Sequence, residues 1–72
     1  MREKYSESRK IFEIQKIVEY LEKSKEIDYI TASSLINRSP TYTIYLLKFI
    51  AVKTPDLFEY KRGKLVRKNG KR

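Results

Sequence analysis

Several side chains that can bind phosphate stand close together between residues 38 and 48. They are Arg38, Ser39, Thr41, Tyr42, Tyr45 and Lys48. Hydroxyl groups at the start of a helix can hydrogen-bond an anion, assisted by the free N–H groups of the first turn. A tyrosine can donate its O–H to a phosphate or place its ring against a methyl group, and lysine and arginine add positive charge. This group predicts binding to a polyanion.

A second group, strongly basic, follows near the end of the chain and consists of Lys61, Arg62, Lys64, Arg67 and Lys68. Residues 1–28 contain seven Lys/Arg and seven Asp/Glu, whereas residues 29–72 contain ten Lys/Arg and two acidic residues. The whole net charge of +8 therefore belongs to the second part. Such asymmetry favours an anionic partner, most often nucleic acid, and Arg62 is the best candidate for a narrow minor groove. The alternative is a solvated charged segment without a partner.

Catalysis has little support in the composition. The chain has no Cys and no His, so it lacks the usual nucleophile, general base and metal ligands. Its separated carboxylates, Asp28, Asp56 and Glu59, have simpler roles as cap or turn residues. We therefore expect a protein that is not an enzyme and has no cofactor and no metal site.

Two further expectations concern location and source. No apolar run approaches the roughly 20 residues of a membrane span, and the N-terminus lacks the apolar region of a signal peptide. We expect a cytoplasmic, nucleoid-associated protein with no membrane contact. The abundance of Lys, Glu, Ile and Tyr favours a thermophilic, archaeal source, although an AT-rich genome has the same bias.

The first element that positions these groups is a helix running from about residue 9 to Lys23 or Lys25, capped by Ser6 or Ser8 and preceded by a flexible N-terminus, residues 1–8. Its apolar stripe has spacings of three and four and consists of Ile11, Ile14, Ile17, Val18 and Leu21. Phe12 and Tyr20 lie beside this stripe, either as flank packing or as part of a dimer contact.

Two shorter helices and a turn follow. Residues 25–30 alternate and predict a short strand or an extended connection, after which Thr31 caps a helix from Ala32 to about Asn37. Asn37-Arg38-Ser39 forms a tight turn. Ser39 then caps a helix that starts at Pro40 and ends near Val52.

The helix that starts at Pro40 has two faces of different chemistry. Helical spacing directs Thr43 or Ile44, Leu47, Ile50 and Ala51 inward, and directs Thr41, Tyr42, Tyr45 and Lys48 outward. The seven large apolar residues of this helix cannot all fit one narrow core. One or two of them are expected to contact a partner or the C-terminal hairpin.

Apolar and aromatic residues on both sides of Arg62-Gly63 predict a β-hairpin. A two-residue turn pairs Tyr60 with Leu65 and sets Lys61 opposite Lys64, where like charges favour an anion outside the fold. A three-residue loop is the alternative and shifts the register by one.

The order helix, extended segment, helix, turn, helix, hairpin resembles the winged helix-turn-helix superfamily. The residues that carry the likeness are ITASSLI, NRSP, TYTIYLLKFIAV and LFEYKRGKLVRK. It implies an α+β, mostly helical fold over residues 9–68, with three helices, a C-terminal β-hairpin wing and a basic disordered tail, residues 69–72. It also implies a third helix in the major groove and a wing on the neighbouring backbone or minor groove.

We therefore expect a double-stranded DNA-binding protein, either a small transcriptional regulator or an architectural or partition factor, and we favour a homodimer. The outer face of the third helix has no Asn, Gln or Arg to read bases, so we expect modest sequence specificity. One alternative is a protein–protein interaction module of the replication or transcription machinery, which would use the surplus apolar residues of that helix. Another is binding to RNA or single-stranded nucleic acid through the tyrosines.

Overall fold

Three helices and three short strands make up the fold. The computed structural model describes the backbone of residues 2–68 and the side chains of residues 9–68, so the predicted tail lies outside it. The elements are α1 (Arg2–Lys23), β1 (Glu26–Asp28), α2 (Tyr29–Ile36), α3 (Pro40–Lys53), β2 (Phe58–Lys61) and β3 (Lys64–Arg67). The strands form one antiparallel sheet in the order β1-β3-β2. The predicted fold class, α+β and mostly helical in a winged-helix-like layout with a C-terminal hairpin, is confirmed.

One apolar core joins all six elements. Its buried side chains are Ile17, Leu21, Ile27, Ala32, Ile36, Leu46, Leu47, Ile50, Phe58 and Leu65. Thr43, one of the two alternatives predicted for the inward face of α3, is fully buried, and Leu46, which was not predicted to face inward, is fully buried too. The reason is that α3 packs against α2 and against both hairpin strands, so it contributes a broad stripe to the core. Among the surplus apolar residues of α3, Val52 remains 74% exposed.

Helix α1 differs from its prediction at its start and along its stripe. It begins at Arg2, so neither Ser6 nor Ser8 caps it. Residues 2–8 contain no Pro or Gly, and nothing in them interrupts a helix. Ile11 is 62% exposed, whereas Glu13 is only 5% exposed. Glu13 precedes the buried Ile17 by four residues and shares its face, while Ile11, six residues before, is rotated away from the core.

Asp28 caps α2, and the prediction that Thr31 does so was wrong. The Asp28 carboxylate accepts a hydrogen bond from the backbone N–H of Thr31, with an N···O distance of 2.8 Å. The hydroxyl of Thr31, followed by this N–H, lowers the pKa of Asp28 below its ordinary value by hydrogen bonding. Asp28 is the last residue of β1 and has an extended backbone, as an N-cap requires, so α2 begins directly after the strand.

The predicted turn between α2 and α3 is confirmed. Asn37 ends α2 in the left-handed conformation at φ 58°, and the N–H of Arg38 donates to the carbonyl of Ser33 at 3.1 Å. Such a left-handed residue is a common helix terminator. Ser39 then accepts a hydrogen bond from the N–H of Tyr42 at 3.3 Å, and Pro40 occupies the first helical position, as predicted. Residues at the end of α2 and at the start of α3 therefore both define the turn.

The hairpin has the predicted two-residue turn, and the three-residue alternative is not formed. Arg62 and Gly63 have φ values of 48° and 80°, and two positive values suit a type I′ turn. Tyr60 is paired with Leu65, as predicted. The carbonyl of Gly63 accepts a hydrogen bond from the N–H of Tyr29 at 2.9 Å, which attaches the hairpin tip to the start of α2.

No helix in the described part of the chain is long and apolar enough to cross a membrane.

Candidate nucleic-acid interface

The exposed face of α3 carries three of the residues predicted to bind nucleic acid. Thr41, Tyr45 and Lys48 are all exposed, and their spacings of four and three place them on one side of the helix together with Val52. The Lys48 ammonium lies 5.5 Å from the ring centre of Tyr60, a residue of β2. This cation–π contact makes the outer face of α3 continuous with the hairpin.

The hairpin holds five exposed basic residues, namely Lys61, Arg62, Lys64, Arg67 and Lys68. Arg62 lies in the turn, and among the described residues no hydrogen bond or ion pair engages its guanidinium group. Lys68 and Lys48 line a shallow cleft between α3 and β2, which also includes Glu59 and Tyr60. Lys68 therefore adjoins the outer face of α3, whereas Lys61 and Lys64 lie on the face of the hairpin opposite to Tyr60 and Leu65.

Lys61 and Lys64 face each other across the hairpin, as predicted, but carboxylates within the fold offset their repulsion. The Lys64 ammonium lies 3.1 Å from Glu26 of β1, and the Lys61 ammonium lies 3.9 Å from Glu59. The repulsion therefore does not by itself require an anion outside the fold, and binding of such an anion stays a prediction. All four side chains are about half exposed, and exposed ion pairs contribute roughly 0–1 kcal/mol, so both lysines can exchange these partners for another anion.

Tyr42 does not point outward with Tyr45, so that prediction was wrong. Its O–H donates to Oε1 of Glu13 on α1 at 2.8 Å, while Nε of Arg38 donates to Oε2 of the same carboxylate at 2.8 Å. The Arg38 guanidinium also lies over the Tyr42 ring at 4.2 Å. Tyr42 lies at the edge of the outer face of α3, on the side next to α1. Its side chain therefore contacts α1 and is only partly exposed.

Burial and hydrogen bonds shift the pKa values of Tyr42 and Arg38. Desolvation raises the pKa of Tyr42, and donation to Glu13 raises it further, so the phenol stays protonated. The pKa of Arg38 is also raised, first by its interaction with Tyr42 and then by Glu13. Tyr42 and Arg38 therefore both remain hydrogen-bond donors to the side chain of Glu13, which lies between them.

A second contact between α1 and α3 involves Lys10. Its ammonium donates to the Tyr45 hydroxyl at 3.0 Å and lies 4.0 Å from the ring centre of Phe49. The Tyr45 and Phe49 rings are 6.3 Å apart, within the range of aromatic pairs. Half of Tyr45 nevertheless remains exposed on the outer face of α3.

The predicted site residues thus fall into two neighbouring groups. Thr41, Tyr45 and Lys48 on α3 and the five basic residues of the hairpin are exposed, whereas Arg38 and Tyr42 contact α1 through Glu13. Ser39 is exposed, but its side-chain oxygen is used to cap α3.

Sequence reasoning missed two residues that hold this region together, Glu13 and Lys10. Glu13 had a detectable signal, because it stands four residues before Ile17 and eight before Leu21, where a core residue would be expected. A charged residue at such a position indicates a buried polar partner. Lys10 had no comparable signal.

The described residues contain no cluster of three or more acidic, His or Cys side chains that could hold a metal ion. The fold and this surface define a small α+β chain with a winged-helix-like layout and a basic hairpin. The chain matches no protein-family model, and no curated protein or solved structure is significantly similar to it.

Proposed function

We propose that this protein binds double-stranded DNA, with the outer face of α3 in the major groove and the basic hairpin against the neighbouring backbone or minor groove. One observation carries the proposal: the exposed polar face of α3 adjoins the basic hairpin where Lys48 meets Tyr60, and Lys48 and Lys68 line one cleft there. A helix fits the major groove, and a charged support beside it can neutralise phosphates. A small transcriptional regulator and an architectural or partition factor both fit this arrangement.

The charge distribution supports the proposal. The outer face of α3 and the hairpin together carry the exposed cations Lys48, Lys61, Arg62, Lys64, Arg67 and Lys68. The nearby carboxylates of Glu26 and Glu59 are themselves half exposed, and they partner only Lys64 and Lys61. Four cations therefore remain without a carboxylate partner among the described residues. This excess supplies affinity for a phosphate backbone but carries no sequence information.

The chemistry of α3 sets the expected specificity. Thr41, Tyr45 and Lys48 offer hydroxyls and one ammonium, without the amide or guanidinium groups that form bidentate contacts with adenine or guanine. We therefore propose that α3 determines the position of the protein in the groove while the hairpin provides most of the affinity.

The aromatic side chains favour duplex over single-stranded nucleic acid. Single-strand binders stack bases on free aromatic faces. Here Arg38 lies 4.2 Å from the centre of the Tyr42 ring, and Lys10 lies 4.0 Å from the Phe49 ring centre. Because intramolecular cations occupy these rings, stacking of a base would require their displacement.

A second candidate function is a protein–protein interaction module. Val52 near the end of α3 is 74% exposed and Leu57 before β2 is 55% exposed. Exposed apolar side chains of this kind occur in protein interfaces. The charged surface beside them is less typical of such an interface, since charged residues are depleted at interface centres.

Affinity for duplex DNA, single strands and RNA, measured by fluorescence anisotropy at several salt concentrations, tests the proposal. We expect preference for the duplex and a log–log salt slope of roughly −4 to −6, from about 0.9 per phosphate neutralised. Absence of duplex binding at low salt, or a flat salt response, would contradict DNA binding.

Matched variants locate the surface. Replacing Arg62 and Arg67 with glutamine should weaken binding to all duplexes and reduce the slope by about 1.8. Replacing Lys16 and Lys23 with glutamine removes the same charge from α1 and should have a much smaller effect. Equal effects of the two pairs would indicate attraction by net charge alone.

A further inference from the structure

Glu13 is a buried carboxylate that faces the turn between α2 and α3. It is only 5% exposed, and both its oxygens accept hydrogen bonds at 2.8 Å, from Nε of Arg38 and from the Tyr42 hydroxyl. Burial of a carboxylate is unfavourable unless its oxygens are paired, and here both are. Glu13 therefore links α1 to the turn and to the first part of α3.

Arg38 is held at both its backbone and its side chain. Its N–H donates to the Ser33 carbonyl at 3.1 Å, directly after the left-handed residue Asn37. Its guanidinium is fixed by Glu13 at one edge and by the Tyr42 ring at one face, at 4.2 Å. The side chain is nevertheless 37% exposed. Since Glu13 takes the Nε–H, the two terminal nitrogens are the part of the group that can bind another acceptor.

We propose that Glu13 is a positioning residue for DNA binding, which holds the Arg38 guanidinium in the orientation that binds a backbone phosphate. The inference rests on the proposed function and names a further contributor to the same site. Two parallel N–H donors match the geometry of a phosphate, and a side chain already immobilised loses less conformational freedom on binding. The position of Arg38, next to the N-terminus of α3, suits contact with the backbone at the edge of the groove.

The direction of the effect distinguishes positioning from simple electrostatics. Removal of a negative charge from a protein that binds a polyanion should strengthen binding if charge alone matters. Loss of a positioning residue should weaken binding, because Arg38 must then be ordered when the complex forms. Immobilisation of one long side chain corresponds to about a two- to tenfold change in Kd.

The test compares Glu13→Gln with Glu19→Gln, each in the full chain. Both changes raise the net charge by one, but Glu19 is exposed on α1. Glutamine keeps the size of Glu13 and one acceptor oxygen, so circular dichroism and thermal unfolding should show a folded protein, and binding is measured well below its Tm. We expect duplex affinity about two- to tenfold weaker for Glu13→Gln than for Glu19→Gln.

A double-mutant cycle with Arg38→Ala provides the readout that a merely structural role would not change. Arg38→Ala should lower the salt slope by about 0.9, and Glu13→Gln should cause no further loss of affinity in its presence. The inference is overturned if Glu13→Gln binds as tightly as Glu19→Gln or more tightly, or if its loss persists without Arg38. If the unchanged protein binds no duplex at all, the proposed function itself fails and the inference fails with it.

Discussion

Replacing Arg62 with asparagine separates the charge of the hairpin turn from its conformation. Arg62 has a φ of 48°, in a region that few residues other than glycine occupy. Asparagine tolerates this region best among the other residues, and Asn-Gly is the preferred pair for a type I′ turn. The change therefore removes a guanidinium group while it improves the local backbone preference.

The expected gain in stability follows from the conformational preference. Asparagine is several-fold enriched at positive φ, which corresponds to about 0.5–1 kcal/mol in the free energy of unfolding. For a domain of this size that gain raises the Tm by about 2–8 °C. No hydrogen bond or ion pair of the Arg62 guanidinium is lost, since the described residues form none with it.

The same change should weaken DNA binding. If Arg62 neutralises one phosphate, its loss reduces the log–log salt slope by about 0.9, which corresponds to roughly fivefold weaker binding near 0.15 M salt. Stability and affinity should thus change in opposite directions.

Thermal unfolding followed by circular dichroism and fluorescence anisotropy with a duplex measure the two effects on one preparation. Lys23→Gln, which removes one charge from the exposed end of α1, is the control for net charge. A lower Tm would refute the reasoning on the turn. Unchanged affinity, or an affinity equal to that of the control, would refute a phosphate contact by Arg62.

Three further changes test the fold and the assembly. Gly63→Ala should destabilise the protein by about 1 kcal/mol or more, measured by denaturant unfolding, because φ is 80° and the new Cβ would lie 3.1 Å from the Tyr29 ring. Asp28→Ala should cost about 0.5–2 kcal/mol at neutral pH. Because hydrogen bonds from the Thr31 side chain and from its backbone N–H lower the pKa of Asp28, this stabilisation is present above the ordinary value of 3.8 and lost as the pH falls through the folded value. Unfolding curves of the two proteins should therefore converge in acid. Phe12, which is 57% exposed on α1, should mediate any homodimer, and Phe12→Ser should then shift sedimentation towards the monomer; an unchanged sedimentation coefficient would exclude this face.

Local features of the fold could be predicted from the sequence. The Ser39 cap, the start of α3 at Pro40 and the two-residue turn at Arg62-Gly63 were all correctly predicted. Each depends on the conformational preferences of three or four adjacent residues, and these preferences act in the same way in most folds. The unequal distribution of charge along the chain can likewise be recognised from the sequence alone.

Contacts between distant segments could not be predicted in this way. Tyr42 appeared to be an outward residue of α3, but α1 passes beside it and supplies Glu13, 29 residues earlier. No acidic residue near Lys64 in the sequence indicated an ion pair with Glu26. The pairing of β1 with β3 brings Glu26, 38 residues earlier in the chain, to the Lys64 ammonium. Helical and strand periodicity assign a residue to a side of its own element, and they do not say which other element lies there.

The difference between the features predicted from the sequence and those seen only in the structure has a simple physical basis. The residues alone were enough to predict α2, α3 and the turn between them, the hairpin and the basic half of the chain, because capping, turn chemistry and charge are local or additive properties. Which predicted residues lie together depends on how the elements pack, since the contact between α1 and α3 brings Tyr42 and Arg38 to Glu13. It leaves Thr41, Tyr45 and Lys48 exposed on α3, with Lys48 beside the hairpin.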